Sequence, residues 1–300
     1  MILEIEVENL FSFKDKITFD MNSNIVNING GFNSGKTSLL KILNAVILML
    51  KTGNGYLNTF GYNDKPSSFK ITFLKSDTKY VYGFTLNEKQ VSREYLYYYD
   101  DKEENIIFER VNKAYTFNDN KLKNISKIVL DNRLFLSYAK DELNDVYTFL
   151  TSTIGICLDI RTLIEPAFNL YSRDINNKLK PYVLEFYKNI NVNIIDYNVK
   201  SIMLGKGLGY TTKFKHNIDN KNYIIDYGDE SLSNRLVFAI IPFILKLLKE
   251  EKVLIIDDLD SFLDNRIIKE IINILKDSKG QFIFSSHLSN DYDVKTISLL

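Results

Sequence analysis

A single cysteine, Cys157, stands in a chain of 300 residues. That excludes a disulfide framework and any metal site built from several thiolates, and it suits a reducing interior. Net charge is missing too: 38 lysines and arginines balance 38 aspartates and glutamates, so no bulk basic character announces a nucleic-acid partner. Only a local patch would serve one. Long apolar runs are absent, because the most hydrophobic segment, Leu39 to Leu50, is interrupted by Lys41 and Asn44 and is too short to span a bilayer. The N-terminus alternates Glu4, Glu6 and Glu8 with Leu3, Ile5 and Val7 in the manner of a strand and has no basic n-region, so no signal peptide is expected. These absences predict a soluble, cytoplasmic protein with no membrane partner. Histidine is scarce: His216 falls in an expected hairpin and draws no role, which leaves His287.

What the chain does have is Gly30-Gly31-Phe32-Asn33-Ser34-Gly35-Lys36-Thr37, which fits G-x-x-x-x-G-K-[ST]. An alternating run (Ile25, Val26, Ile28) precedes it and reads as a strand; a long apolar helical run follows. A loop that wraps backbone N–H groups around phosphate oxygens needs glycine where a side chain would obstruct the approach. The expected ligands of the nucleotide are therefore Gly30, Phe32, Asn33, Ser34, Gly35, Lys36, Thr37 and Ser38, with Lys36 reaching the β/γ-phosphates and Thr37 offering its hydroxyl to Mg²⁺. The competing account is an ordinary glycine-bearing turn with an exposed lysine. The helix from Lys36 is apolar almost all round and should be buried.

Taken in order, Met1 to Asn9 and Ile17 to Met21 predict two strands joined by a turn at Phe13-Lys14-Asp15-Lys16. Phe11 or Phe13 then either stacks on adenine or fills the core. Residues 67–111 predict an antiparallel meander: Phe69 to Phe73, Tyr80 to Phe84, Glu94 to Tyr99 and Ile106 to Arg110, broken at Ser76-Asp77, Asn87-Glu88 and Asp100-Asp101. Its tyrosines suit either a stacking platform for single-stranded nucleic acid or the wet face of a sheet, and the absence of basic interleaving favours the second. Asn112 to Lys127 reads as loop. Helical patterns cover Leu134 to Thr153 and a segment after Pro166 interrupted at Pro181. Val192 to Leu204 and Gly209 to Tyr227 resume strand character around a hairpin turn at Asp219-Asn220-Lys221-Asn222. Gly205-Lys206-Gly207-Leu208-Gly209 opens no helix and reads as a mobile turn rather than a second nucleotide site.

In the last quarter, Val253-Leu254-Ile255-Ile256 is a continuous apolar run typical of a buried parallel strand, and it ends in Asp257-Asp258. A carboxylate there suits the Mg²⁺ shell, so Asp257 is expected beside the metal and Asp258 as the base that deprotonates water. An amphipathic helix, Ile267 to Leu275, leads to the strand Gln281 to Phe284 and then to Ser285-Ser286-His287, where His287 is placed to meet the γ-phosphate.

The order of these pieces, with Ser261-Phe262-Leu263-Asp264, resembles an ABC-type ATPase head. The opening Asn9 to Asp15 and the meander Tyr82 to Tyr97 are similar to the RecF/SMC/OLD branch, especially its small stand-alone, abortive-infection ATPases. The resemblance implies an α/β P-loop NTPase fold with a mixed sheet: one domain over 1–300, with a nucleotide-binding lobe at 1–60 plus 250–300, the inserted meander at 67–111 and a helical signature lobe at 130–249. It implies ATP and Mg²⁺ as cofactors and a homodimer closed by nucleotide, in which Ser231 and Asp264 act across the interface. It further implies a role in antiphage defence or DNA metabolism, with a separate effector or DNA as partner. Departures are visible: Ser233 stands where the family has glycine, Asp258 where it has glutamate, Ser12 where it often has arginine, and neither Gln90 nor Gln281 suits a Q-loop. Two outputs follow, an ATP hydrolase or an ATP-gated scaffold with slow turnover. A transporter subunit fits less well, for want of LSGGQ and a Q-loop, and the absence of sustained heptads argues against long coiled-coil arms.

Overall fold

The computed structural model describes residues 1–53, 57, 65–88, 90–101, 103–204, 207–287 and 292–299. Its middle layer is an all-parallel sheet of five strands in the order β15-β3-β14-β13-β9, formed by β3 (Ile25–Gly30), β9 (Ile154–Cys157), β13 (Val253–Ile256), β14 (Gln281–Ser286) and β15 (Lys295–Leu299). Covered on both faces, such strands must be apolar throughout, and β13 and β14 are buried at every residue. Val253, Ile255 and Ile283 face one core, while Leu254, Ile256, Phe282 and Phe284 face the other.

The first core is closed by a seven-stranded antiparallel sheet, β2-β1-β4-β5-β6-β7-β8. It comprises β1 (Ile2–Glu8), β2 (Ile17–Asp20), β4 (Ser67–Lys75), β5 (Thr78–Asn87), β6 (Gln90–Asp100), β7 (Glu103–Val111) and β8 (Ala114–Phe117). The meander thus continues the opening hairpin, since β1 pairs with β4. Ser76 and Asp77 both take positive φ, the requirement of a two-residue turn that matches strand twist. Between the two sheets lies α1 (Lys36–Thr52), which exposes a narrow strip at Lys41, Asn44, Leu48 and Lys51 and its last residue, Thr52. Gln281 ties the layers together: its amide donates to the carbonyls of Ile2 (2.9 Å) and Met21 (2.8 Å) and accepts from the Ile2 N–H.

Residues 112–127 are not a loop: they supply β8 and α2 (Asn120–Ser126), which Asp119 caps by accepting from Lys121 N. The helical stretch expected over 134–153 is broken into α3 (Phe135–Tyr138), α4 (Asn144–Thr148) and one wide π-turn, and then delivers β9, which the sequence pattern did not reveal.

The second core holds α5 (Ile164–Arg173), α6 (Lys180–Asn189), α7 (Leu232–Lys249) and α8 (Asn265–Leu275), with a three-stranded antiparallel sheet of β10 (Ile194–Leu204), β11 (Gly207–Ile218) and β12 (Lys221–Asp226). Pro181 begins α6 rather than interrupting a helix, as its fixed φ and missing N–H allow in a first turn. The β11–β12 turn falls at Asp219-Asn220, both at positive φ, where expected. Gly205 and Lys206 lie outside the described residues. No helix among the described residues is long and apolar enough to cross a membrane.

Candidate functional site

Three strand ends build the site. Because β3 pairs in parallel with β14, and β14 with β13, their C-terminal ends emerge side by side, with Asn29 opposite Ser286 and Phe284 opposite Ile256. The glycine loop leaves β3 at Gly30 and turns into α1 through Asn33 (φ 63°) and Gly35 (φ 99°). α1 has no side-chain cap and no acidic residue in its first turn, so its N–H groups and positive end serve an anion. Gly35 is required twice over: its φ strains any side chain, and a Cβ would sit 3.0 Å from Ser12 Oγ and 3.1 Å from the Phe13 ring. Gly35→Ala is therefore expected to destabilise the fold by about 1–2 kcal/mol and to weaken nucleotide binding with it; an unchanged melting temperature would contradict this packing. A Cβ on Gly30 would meet the Leu299 carbonyl of the neighbouring strand at 2.8 Å.

Lys36 is buried, and its amine donates to the carbonyls of Gly30 (2.5 Å) and Gly31 (2.9 Å), so the charge is held inside the curve of the loop. Ser34 places a buried hydroxyl without a hydrogen-bond partner at the same turn, while Phe32 is 87% exposed at its outer edge. Thr37 and Ser38 follow in the first helical turn, half-buried. Phe13 fills the core, edge-on to Phe19, and backs the loop instead of offering a base-stacking face.

Across β14, the Asp257 carboxylate is buried. Ser285, also buried, donates to Asp257 Oδ1 (2.5 Å) and accepts from the Asp258 N–H (2.8 Å), so one hydroxyl fixes both aspartates. Asp258 takes a left-handed backbone (φ 46°) that turns the chain sharply off the strand. Burial and the Asp257 charge push the Asp258 carboxyl up from its ordinary value, while His287, Lys36 and Ser285 pull it down; the upward effects prevail. The pairing of β3, β14 and β13 brings the loop and the aspartates to adjacent strand ends. His287 donates its backbone N–H to Asp260 (2.8 Å) and brings Nδ1 within 3.6 Å of Asp258 Oδ1. Ser286 donates to Asn27 (2.9 Å) and accepts from Asn29 (3.2 Å), locking β14 to β3.

Ser286 and His287 are marked by the sequence, whereas Ser285 and Asp260 are not. The available signal was a pair of hydroxyls ending an otherwise apolar strand, since a buried hydroxyl must find a partner. Ser231 and Asp264 are both exposed and both cap helices: Ser231 accepts from Asn234 N (3.2 Å) at the start of α7, and Asp264 from Ile267 N (3.1 Å) at the start of α8. Among the described residues, no hydrogen bond or ion pair joins either to the glycine loop.

The residues present fit a phosphate chain and magnesium. The loop offers glycines where Cβ atoms would collide, an orphaned hydroxyl and an uncapped helix; Thr37 and Asp257 offer hard oxygen donors. Among the described residues no cluster of three or more His, Cys, Asp or Glu side chains could hold a metal ion.

Among solved structures, the fold is similar to the Smc head bound to the C-winged helix domain of ScpA: TM-score 0.53 and 13% identity, covering 96% of this chain and 90% of that one. It is also similar to the Smc head domain with an extended coiled coil bound to the C-terminal domain of ScpA derived from Pyrococcus furiosus: TM-score 0.51 and 11% identity, covering 96% and 90%. Identities this low speak to fold alone. No curated protein gives a significant sequence match. The sequence itself matches, over residues 32–290, the family described as "AAA domain, putative AbiEii toxin, Type IV TA system"; that span is most of the chain, and the protein belongs to this family.

Proposed function

We propose that this head binds and hydrolyses Mg·ATP within a dimer of two copies, working as one ATPase domain. The observation that carries the reading is the convergence of the glycine loop, the Asp257-Asp258 strand end and His287 on one sheet edge. The loop N–H groups and Lys36 hold the triphosphate, and Thr37 and Asp257 hold the metal, which when bound neutralises phosphate charge. Asp258 takes the proton of the attacking water, and His287 contacts the terminal phosphate. Ser231 and Asp264, exposed at the starts of α7 and α8, serve the nucleotide of the second copy. Family membership supports a role in abortive infection or a toxin–antitoxin pair, with a separate effector.

A protein effector suits the tyrosine face of the antiparallel sheet better than DNA does. Lys70, Lys79 and Arg93 do interleave with Tyr95, Tyr97 and Tyr99, arriving from three neighbouring strands instead of along one. Carboxylates engage Lys70 (Glu4 at 2.9 Å, Glu6 at 3.4 Å) and Arg93 (Glu109 at 2.7 Å), leaving little charge for phosphates.

Single-turnover phosphate release from Mg·ATP tests the reading. Release well above the buffer rate is expected, and Asp258→Asn should lower it about a hundredfold or more while ATP still binds and the dimer is trapped. Since the Asp258 carboxyl sits above its ordinary value and acts ionised, activity should fall on acidification at a higher pH than an unperturbed aspartate would set. Unchanged turnover in Asp258→Asn would remove it as the base. The exposed Ser233 at the signature position favours the slower, scaffold-like output, for which tight ATP binding with no release above buffer is the outcome.

A further inference from the structure

A buried pair unconnected to the phosphate loop stands behind Ser231. His216, on β11, and Glu230, just before α7, are 7% and 8% exposed, and His216 Nε2 lies 2.7 Å from Glu230 Oε2. The other carboxylate oxygen, Oε1, accepts from the Ser231 N–H (2.9 Å) and from the Asn234 side-chain amide (2.9 Å). Asn234 in turn gives its backbone N–H to Ser231 Oγ and its carbonyl to Tyr187 OH (2.8 Å). Ser231 is therefore held from both ends, and its hydroxyl is fixed by a bond to the residue that Glu230 also grips. Burial pushes the Glu230 carboxyl up, but the hydrogen bonds from Asn234, Ser231 and His216 together bring it below its ordinary value. The group that orders Ser231 is thus a carboxylate, whose partner on the far side is the imidazole.

His216 belongs to the three-stranded sheet, opposite Tyr223 on β12 and Ile194 on β10. On the same face of β11, Phe214 packs edge-on against Phe238 of α7 (5.0 Å), so sheet and helix start form one unit. We propose that His216 is a positioning residue for the intersubunit half of the ATP site: through Glu230 it sets the backbone and hydroxyl of Ser231 for the phosphate held by the second copy. The ligand class is the terminal phosphate of a nucleoside triphosphate, reached in trans. This inference rests on the proposed ATP-closed dimer.

The test separates binding by one head from closure of two. Methionine is near histidine in volume but has no donor for Glu230, whereas the side-chain nitrogen of glutamine stands as many bonds from Cα as Nε2 and can donate. His216→Met should bind a fluorescent ATP analogue within about twofold of wild type at concentrations where single heads prevail, yet form the Mg·ATP dimer about tenfold more weakly. His216→Gln should restore dimerisation to within about threefold. A purely structural role would lower both affinities together and would not distinguish the two replacements. If wild type dimerises and both variants dimerise like it, or both lose closure equally, the assignment of His216 is overturned while the dimer reading stands. If wild type itself does not dimerise with Mg·ATP, the reading falls and the inference with it. Should the methionine variant not fold, the glutamine variant decides: near-wild-type closure supports the role, and a tenfold loss overturns it.

Discussion

Replacing Lys36 with alanine is expected to lower single-turnover ATP hydrolysis about a hundred- to a thousandfold, the scale set by removing one preorganised charge donor from a developing oxyanion. The buried amine is already fixed by two loop carbonyls, so it needs little rearrangement to meet phosphate oxygens on the same concave side. Its loss also removes one of the charges that pull the Asp258 carboxyl down. The variant should therefore lose activity on acidification at a still higher pH than wild type, a second signature that a mere loss of affinity would not give. The fold should survive, because α1 is held by Leu39, Leu40, Leu43, Val46 and Leu50 in the core. Titration with Mg·ATP and a quench-flow measurement of phosphate release check the expectation. Wild-type binding and turnover in Lys36→Ala would remove the glycine loop from the site.

The largest expected effect on stability lies elsewhere, at Glu94. This carboxyl is fully buried on β6 directly opposite Arg110 of β7, accepts from Tyr82 OH (3.0 Å), and receives the backbone N–H groups of Phe135 and Leu136 at the start of α3. It substitutes for the cap that α3 lacks, and it sits opposite the buried Arg110 guanidinium, which donates to the carbonyls of Asn112, Arg133 and Asp131. Glu94→Ala strands two buried N–H groups and the Tyr82 hydroxyl, at a cost of about 3–5 kcal/mol. Urea denaturation should show that loss; one below about 1 kcal/mol would contradict the network.

The same carboxyl predicts a pH effect. Burial raises it from 4.5 to about 7, against the hydrogen bonds from Leu136, Phe135 and Tyr82 and the charge of Arg110. Between those values the folded chain keeps a proton that the unfolded chain has released, so this contribution is complete below pH 4.5 and fades as the pH rises to about 7. It amounts to roughly 3 kcal/mol. Glu94→Gln has no such proton, so the stability of wild type relative to Glu94→Gln should decline across that window.

The glycine loop and the aspartate-tipped strand were legible because each is a short run whose chemistry is local. The turns at Ser76-Asp77 and Asp219-Asn220 were legible for the same reason. What escaped was assembled across strands. Of the cations among the tyrosines only Arg93 shares β6 with them, at alternate positions, while Lys70 and Lys79 arrive from β4 and β5, and the Glu94 network joins β5, β6, β7 and α3. His216 drew no role because its partner lies on the far side of a hairpin, beside a helix cap. Residues 112–127 looked like a loop because β8 buries no residue fully and α2 buries only Leu122. Ser285 was overlooked since nothing in Phe-Ile-Phe-Ser-Ser marks which hydroxyl will bridge two aspartates; only the pairing of β13 with β14 does so.

Closure of two copies by nucleotide is the claim on which the roles of Ser231, Asp264 and His216 depend. Light scattering of the purified chain, with and without Mg·ATP, addresses it directly, with Asp258→Asn included to slow any turnover. The mass of one chain should rise to that of two when Mg·ATP is added, most completely in Asp258→Asn and not at all in Lys36→Ala. A mass that is the same with and without nucleotide in all three proteins would contradict the account.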